Sequence, residues 1–302
     1  MHILSTIAST LLHGGSTRFT NYSPLGETTL LSDIMGTMVN DNLSLDYVKQ
    51  LLHNLQRDFQ LLPSPIQLCL FLNIYFFVLW TILPQFMMDN SSSSLKNMNA
   101  KRFWSSLLSN FSHQSLFHLL SNMSFLLTLG KPVCVELGNK VFIYTVLFSS
   151  FVCGYAPMIY EGLLVRLNPN SKRHQTRVER MHIGFSGINM ALAYLYMLFK
   201  PNEMFVLGYS DPMPFKAVFS VILWSDLAGL IIDNLLFSTG ISHIGHMSDL
   251  LSGIGIRRAL CFTKWGNKLI NWRCRAKIWR PRDLFWVVSL QQLLDMLAWC
   301  LM

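Results

Sequence analysis

Long apolar segments separated by short polar ones fill most of this chain after residue 63. A helix that crosses a bilayer needs roughly 20 predominantly apolar residues. Six segments approach that length, at about residues 66–88, 114–130, 140–159, 184–200, 214–236 and 241–256. A last apolar segment at 283–302 is interrupted by Gln291, Gln292 and Asp295, which favours a helix at the membrane surface over a seventh span. The pattern predicts an all-α, polytopic membrane protein with six transmembrane helices in one bundle.

The segment before the first span has a different character. Residues 1–63 hold no run long enough to cross a membrane. Within them, residues 46–62 carry apolar side chains at helical spacing, which predicts an amphipathic helix lying on the membrane or on the bundle. The predicted organisation is an N-terminal extension at 1–63, a membrane domain at 64–262, and a basic linker with a hydrophobic helix at 263–302.

Charge supports the membrane interpretation. Charged residues make up 13% of the chain, against about 25% in soluble proteins. The net charge is +8, and nine Lys/Arg lie between Arg257 and Arg282, directly after the sixth segment. A cluster there fixes topology or contacts anionic lipid, so we expect the lipid bilayer and no nucleic acid as a partner. With both termini on one side, 16 of the 24 Lys/Arg fall on that side, as the positive-inside rule requires.

Three polar groups stand inside these apolar segments, where lipid cannot solvate them, and such groups usually mark function. In the second segment, Gln114, His118 and Asn122 follow one another at intervals of four residues. That spacing puts them on one helix face, which must turn into the bundle. Taken alone, this face is explained as well by hydrogen bonds between helices.

The fourth segment opens with Gly184, Phe185, Ser186 and Gly187. The first amides of a helix have no intrahelical partner, and they can hold a developing negative charge. A serine at that point is placed to attack a carbonyl, and the glycines let a substrate backbone approach closely. A packing site for small residues is the alternative for this motif alone.

The sixth segment carries His243, His246 and Asp249 among small residues. Small residues allow close contact between helices, and contact with the fourth segment would bring an imidazole to Ser186. Two packing or metal-binding histidines are the alternative. We nevertheless expect no metal site, because no set of histidines and acidic residues stands at a metal-binding spacing. The six cysteines include no CxxC pair, which predicts buried thiols.

Together, the three groups resemble the rhomboid family of intramembrane serine proteases, over about residues 64–260. Residues 109–123 and Met190 are similar to the mitochondrial, presenilin-associated branch. The matching motifs have the family's spacing and are formed by His113, His118 and Asn122, by Gly184, Ser186 and Gly187, and by His246 with Gly253.

The resemblance implies a six-helix bundle with a water-filled cavity, in which Ser186 is the nucleophile and His246 the general base of a Ser/His dyad that requires no acid and forms an acyl-enzyme intermediate. It implies that His118, Asn122, Gly184 and His113 surround the oxyanion and the substrate, that no cofactor is needed, and that substrates are single-span membrane proteins. They are cut in or near their transmembrane helix.

Two residues of the sixth segment depart from the family pattern or compete with it. His243 is an alternative base, but it lacks the glycine that follows His246 seven residues on. Asp249 stands where most members carry a small residue, and at three residues after His246 it is a candidate for orienting the imidazole.

Other functions and two locations stay open at this point. A rhomboid-like protein that binds membrane clients without cutting them is one alternative, and an unrelated transporter or metal-binding membrane protein is another. The branch resemblance favours the mitochondrial inner membrane. A secretory-pathway membrane is the alternative, because Arg18 is the only arginine in the first 26 residues.

Overall fold

The computed structural model describes residues 45–171, 174–206, 211–235 and 242–261. Residues 1–44 of the N-terminal extension, the basic linker and the apolar segment 283–302 lie outside the described residues. The described chain is almost entirely helical. Its helices are α1 (Leu45–Gln60), α2 (Ser64–Ile82), α3 (Pro84–Asn90), α4 (Leu95–Asn99), α5 (Trp104–Leu108), α6 (Leu116–Phe125), α7 (Lys131–Leu137), α8 (Asn139–Leu167), α9 (His174–Glu179), α10 (Ser186–Phe199), α11 (Phe215–Leu235) and α12 (His243–Cys261).

Four short elements complete the described chain. A 3₁₀ turn at Ser109–Phe111 follows α5, and a π-helical turn at Leu126–Gly130 continues α6 into α7. Strands β1 (Met204–Phe205) and β2 (Met213–Pro214) pair antiparallel between α10 and α11. The predicted all-α membrane fold is confirmed.

Among the described residues, three helices are long and apolar enough to cross a membrane, at Ser64–Ile82, Asn139–Leu167 and Phe215–Asn234. Helix α10 is apolar but shorter, and the number of six spans stays a prediction. Helices α2 and α8 expose large apolar side chains, as lipid-facing helices do; among them are Leu68, Phe71, Tyr144, Leu147 and Phe151.

Two helix bounds differ from the prediction. The first span ends at Ile82 and not near 88, because Pro84 starts a new helix and a proline disfavours helical backbone at the preceding residue. The third span runs to Leu167 and not to 159. Its 29 residues reach about 44 Å at 1.5 Å per residue, so its last turns extend beyond a hydrocarbon core of about 30 Å.

Helix α10 lies at the centre of the fold. All residues from Gly187 to Met197 are buried, which is expected of a helix that is apolar on every side. Helix α12 packs closely against it at Gly253, where an added Cβ would stand 3.2 Å from the Ala191 carbonyl oxygen. The small residues predicted to allow close approach are therefore at the contact.

Buried polar residues of the chain segment that connects α2 to α6 bind the segment that leads into α10. Ser93 and His182 exchange backbone hydrogen bonds of 3.0 and 2.8 Å, and the Gly184 amide donates to the Ser109 carbonyl at 2.9 Å. The Ser93 hydroxyl donates to the Gly154 carbonyl of α8 at 2.7 Å. These bonds fix the backbone on which the serine motif stands.

A buried ion-pair network holds the same segment from the other side. Glu161 of α8 is 1% exposed and receives Arg177 at 2.6 Å and Arg180 at 2.9 Å. Arg177 also donates to Asn234 of α11 at 3.2 Å. The network therefore joins α8, the segment before α10, and the end of α11.

Candidate active site

Ser186 is the first residue of α10, and the turn before it depends on Gly184. This glycine has φ of +118°, a conformation that L side chains rarely adopt. An added Cβ would also stand 2.7 Å from the His118 ring. Both the backbone angle and the close approach of His118 therefore require glycine at this position.

Helix α12 brings His246 to the serine. The His246 Nε2 atom lies 2.8 Å from the Ser186 Oγ atom, which is hydrogen-bonding distance. The approach depends on Gly187, because a Cβ there would collide with Asp249 of α12 and Cys153 of α8. The structure thus unites the two residues that the sequence singled out as nucleophile and base.

The other ring nitrogen of His246 meets Asp226 of α11. The distance from His246 Nδ1 to Asp226 Oδ1 is 2.8 Å, and Asp226 is buried. Ser186, His246 and Asp226 form a continuous chain of hydrogen bonds across three helices. The sequence offered one signal for Asp226, an acidic residue inside an apolar helix, but nothing local that pointed to His246.

Asp249, the predicted orienting residue, is not at that nitrogen. Its Oδ1 atom accepts a hydrogen bond from Ser252 at 3.2 Å, and its Oδ2 atom lies beside Gly187 and Cys153. Asp249 therefore faces α10 and α8, whereas His246 Nδ1 faces α11. The structure therefore places Asp226, and not Asp249, at the His246 Nδ1 atom.

The residues predicted around the oxyanion lie on the other side of Gly184. His113 and His118 stack edge to face with ring centroids 4.7 Å apart. The His113 Nε2 atom accepts from the Phe185 amide at 3.5 Å, a long bond. Burial lowers the pKa of His113 to about 3, so its ring is neutral at pH 7 and can accept.

Asn122 is tied to α10 through a residue that the sequence analysis missed. Asn189 donates from its side chain to the Asn122 side-chain oxygen at 3.1 Å, while Asn122 donates to the His118 carbonyl at 2.9 Å. The predicted third member of the polar face, Gln114, is exposed outside the helix. Ser115 caps α6 by accepting from the His118 amide, and the helix begins after it.

A small cavity touches Ser186 and His246 and is also lined by His182, Gly184 and Ser242. Its volume is about 20 Å³, room for roughly one water molecule. His182 pairs with the Ser242 hydroxyl at 2.8 Å, and burial lowers the His182 pKa to about 4. The cavity has room for a water molecule, whereas a peptide requires a neighbouring element to move.

Comparison of the sequence with family profiles identifies the family of this chain. The profile of the Rhomboid domain matches residues 100–262, more than half of the 302 residues. The chain belongs to the rhomboid family. The matched range contains every residue of the three polar groups and also Asp226. An integral membrane protein with a fold like that of the intramembrane proteases follows from this membership.

One curated relative of this rhomboid is "RHOMBOID-like protein 12, mitochondrial" from Arabidopsis thaliana. The two are 25% identical over 174 residues, which is 56% of this chain and 51% of the relative. The chain therefore spans about half the length of the relative that it matches.

The rhomboid domain also contains a possible set of metal ligands, contrary to the expectation from spacing. Asp226, His243 and His246 each offer one ligand atom, and these atoms lie within 4.8 Å of one another. The sequence analysis missed the set because Asp226 stands on a different helix from the two histidines.

Proposed function

We propose that this rhomboid is an intramembrane serine endopeptidase that cuts single-span membrane proteins in or near their transmembrane helix. One observation carries the proposal: Ser186 Oγ, His246 and Asp226 are joined by two hydrogen bonds of 2.8 Å across α10, α12 and α11. A serine with an imidazole at one side and a carboxylate behind the imidazole is the arrangement that activates a hydroxyl for attack on a carbonyl.

The acylation step uses each of these groups. Asp226 holds a proton on His246 Nδ1, which leaves the Nε2 lone pair facing Ser186. As the serine oxygen attacks the scissile carbonyl carbon, Nε2 takes the hydroxyl proton. The tetrahedral intermediate then expels the amine, which receives that proton from Nε2. The product is an acyl ester on Ser186 and a free amine.

Deacylation repeats the sequence with water as the nucleophile. Nε2 takes a proton from water, the hydroxide attacks the ester carbon, and Ser186 leaves with the proton returned to its oxygen. The cavity beside Ser186, with its volume of about 20 Å³, is large enough for that water. No metal or cofactor takes part in either step.

The oxyanion is stabilised by donors at the start of α10. The amides of Ser186 and Gly187 belong to the first turn, where amides have no intrahelical acceptor, and the helix dipole adds a positive potential. His118 packs against Gly184 and supplies a ring N–H to the same side. Asn122 lies one turn further along α6 and is held in place by Asn189.

A fluorophosphonate probe tests the nucleophile directly. We expect labelling of the detergent-purified wild-type protein and none of Ser186→Ala or of His246→Ala. Cleavage of a panel of single-span helices by wild type, and by none of the variants, tests the reaction. Equal labelling of wild type and Ser186→Ala contradicts the assignment of the nucleophile.

Client binding without cleavage is the second candidate function. The supporting observation is the small size of the cavity, whose volume of about 20 Å³ has room for roughly one water molecule and not for a peptide. Co-purification of an intact single-span client with wild type, together with no probe labelling, would favour this function over proteolysis.

For location, we propose the mitochondrial inner membrane. Two features support it: the similarity of residues 109–123 and Met190 to the mitochondrial branch, and the word "mitochondrial" in the name of the relative. Imaging of a C-terminally tagged full chain, followed by fractionation of mitochondrial membranes, tests it. A signal in the endoplasmic reticulum or Golgi would favour the secretory-pathway alternative.

A further inference from the structure

One carboxylate oxygen of this protein serves two imidazoles. Asp226 Oδ1 lies 2.8 Å from Nδ1 of His243 and 2.8 Å from Nδ1 of His246. The second carboxylate oxygen, Oδ2, is buried and has no hydrogen-bond partner among the described residues. Catalysis by Ser186 needs only His246, so this cluster contains one imidazole and one carboxylate oxygen more than the proposed reaction uses.

The unused groups complete a ligand set for a metal. Two histidine nitrogens and one carboxylate oxygen are a common protein ligand set for Zn²⁺ when a fourth position is left open. The three ligand atoms lie within 4.8 Å of one another. His243 and His246 are one helical turn apart on the same face of α12, and α11 supplies the carboxylate, so rigid elements hold every ligand.

The distances are near those of a tetrahedral site and require an adjustment of all three ligands. Tetrahedral ligands at the usual Zn–N and Zn–O distances stand about 3.3 Å from one another. The two Asp226–histidine separations are 2.8 Å, so each must open by about 0.5 Å, and the two histidine nitrogens, which lie within 4.8 Å of one another, must move to the same spacing. Rotation of the carboxylate, whose second oxygen has no partner among the described residues, supplies such a movement. His246 is the most exposed of the three ligands, at 15% against 7% for each of the others, and gives the open side of the site.

We infer that Asp226, His243 and His246 bind Zn²⁺ and that the bound ion switches the active site off. Metal binding at His246 Nδ1 displaces the proton from that nitrogen, and the neutral ring then carries its proton on Nε2. Nε2 facing Ser186 becomes a donor, so it can no longer accept the serine proton. Asp226, now a metal ligand, also stops orienting the ring. The inhibitory consequence rests on the proposed protease function, whereas the binding of zinc does not.

The binding is tested on a protein without the nucleophile. Ser186→Ala keeps all three ligands, and its affinity for Zn²⁺ is measured in detergent by competition with a fluorescent chelator. Loss of a group that merely orients a metal ligand costs about 10- to 100-fold in affinity. We therefore expect His243→Gln or Asp226→Asn, added to Ser186→Ala, to raise the Kd for Zn²⁺ by at least about 100-fold. His243→Gln retains an amide donor toward Asp226, so it guards against loss of the fold.

Matched controls separate this site from others on the chain. His53 is exposed on α1, and His53→Ala should leave the Kd unchanged. Co²⁺ gives a second readout, because a tetrahedral nitrogen and oxygen site produces visible d–d absorption without the charge-transfer band of thiolate ligands. That d–d absorption should disappear in the His243 variant. Equal Kd values and equal Co²⁺ spectra in the parent and in both ligand variants, with all of them folded by thermal unfolding, would overturn the inference.

Activity forms a separate arm of the test. Cleavage by wild type should fall when free Zn²⁺ exceeds the measured Kd, and a chelator should restore it. For His243→Gln, relative to its own zinc-free rate, the inhibitory concentration should rise by the same factor as the Kd. Zinc binding without any proteolysis in wild type contradicts the protease proposal and leaves the metal site standing. Proteolysis that is unaffected by zinc at saturating occupancy contradicts the switch.

Discussion

The two nitrogens of the His246 ring face different helices, so each nitrogen contacts a different residue of the site. Nε2 points to Ser186 on α10, and Nδ1 points to Asp226 on α11, each at 2.8 Å. The carboxylate behind the ring fixes which nitrogen carries the proton. Asp249, although closer in sequence, is engaged with Ser252.

Replacement of Asp226 therefore tests the role of the carboxylate. In Asp226→Asn the amide favours the wrong tautomer of His246, and we expect kcat to fall by about 10²- to 10⁴-fold with little change in KM. Asp249→Asn is the matched control, with a loss below about tenfold, because its side chain does not contact the ring nitrogens. Cleavage kinetics on one single-span substrate measure both. A larger loss in Asp249→Asn would restore the role that the sequence suggested for Asp249.

Gly184 is a second residue whose substitution has an effect that can be predicted from its backbone angle and its close contact with His118. Alanine at φ of +118° is strained by about 1–3 kcal/mol, and its Cβ would displace the His118 ring. We expect Gly184→Ala to lower both the thermal stability in detergent and the rate of probe labelling. Gly162→Ala is the control, because a Cβ there meets only Leu95 at 3.5 Å. An active, stable Gly184→Ala protein would contradict the close contact.

At the scale of helices, the sequence predicted most elements because lipid imposes a simple rule. Every backbone polar group at membrane depth must be bonded internally, so long apolar runs become helices, as at α2, α8 and α11. The prediction was wrong where another force acted. Pro84 ended the first helix early, and polar contacts of Glu161 extended α8 beyond the bilayer. Asp226 was not assigned a role, because its contact with His246 arises when α11 packs beside α12 and leaves no trace in local spacing.

The pairing of α8 with the segment before α10 gives a prediction about elements. Glu161→Gln leaves the buried Arg177 without its counter-charge and leaves the half-buried Arg180 with only its 3.9 Å pair to Asp233, and breaking a buried pair costs about 3–5 kcal/mol. We expect a lower unfolding temperature in detergent and slower labelling of Ser186, because the segment leading to the serine loses its anchor. The control is Asp58→Asn, which removes an exposed pair with Arg57 and should change neither quantity. Equal unfolding temperatures of Glu161→Gln and wild type would contradict the anchoring role.

At the scale of the whole molecule, the site lies at one end of the helix bundle. Ser186 begins α10, and His246 lies in the first turn of α12. The last turns of α8 and α11 lie at the same end of the bundle, because Arg177 binds both Glu161 of α8 and Asn234 of α11. The connecting segment 168–185 therefore lies on the face of the site. The turn between α10 and β1 lies at the opposite ends of these helices, together with the end of α12, where Arg257 and Arg258 begin the basic cluster.

This arrangement predicts the orientation of the chain in its membrane. Basic residues are enriched on one side of a membrane protein, and 16 of the 24 Lys/Arg fall on the side expected to hold both termini. A cysteine at position 170 should therefore face the side opposite the termini, and one at position 202 the same side as the termini. Both Asn170 and Asn202 are exposed, which makes Asn170→Cys and Asn202→Cys a matched pair. Labelling by a membrane-impermeant maleimide in sealed vesicles, with native thiols replaced, measures the two sides. If both positions react from the same side of intact vesicles, α10 does not cross the bilayer. The predicted orientation of the chain would then be wrong.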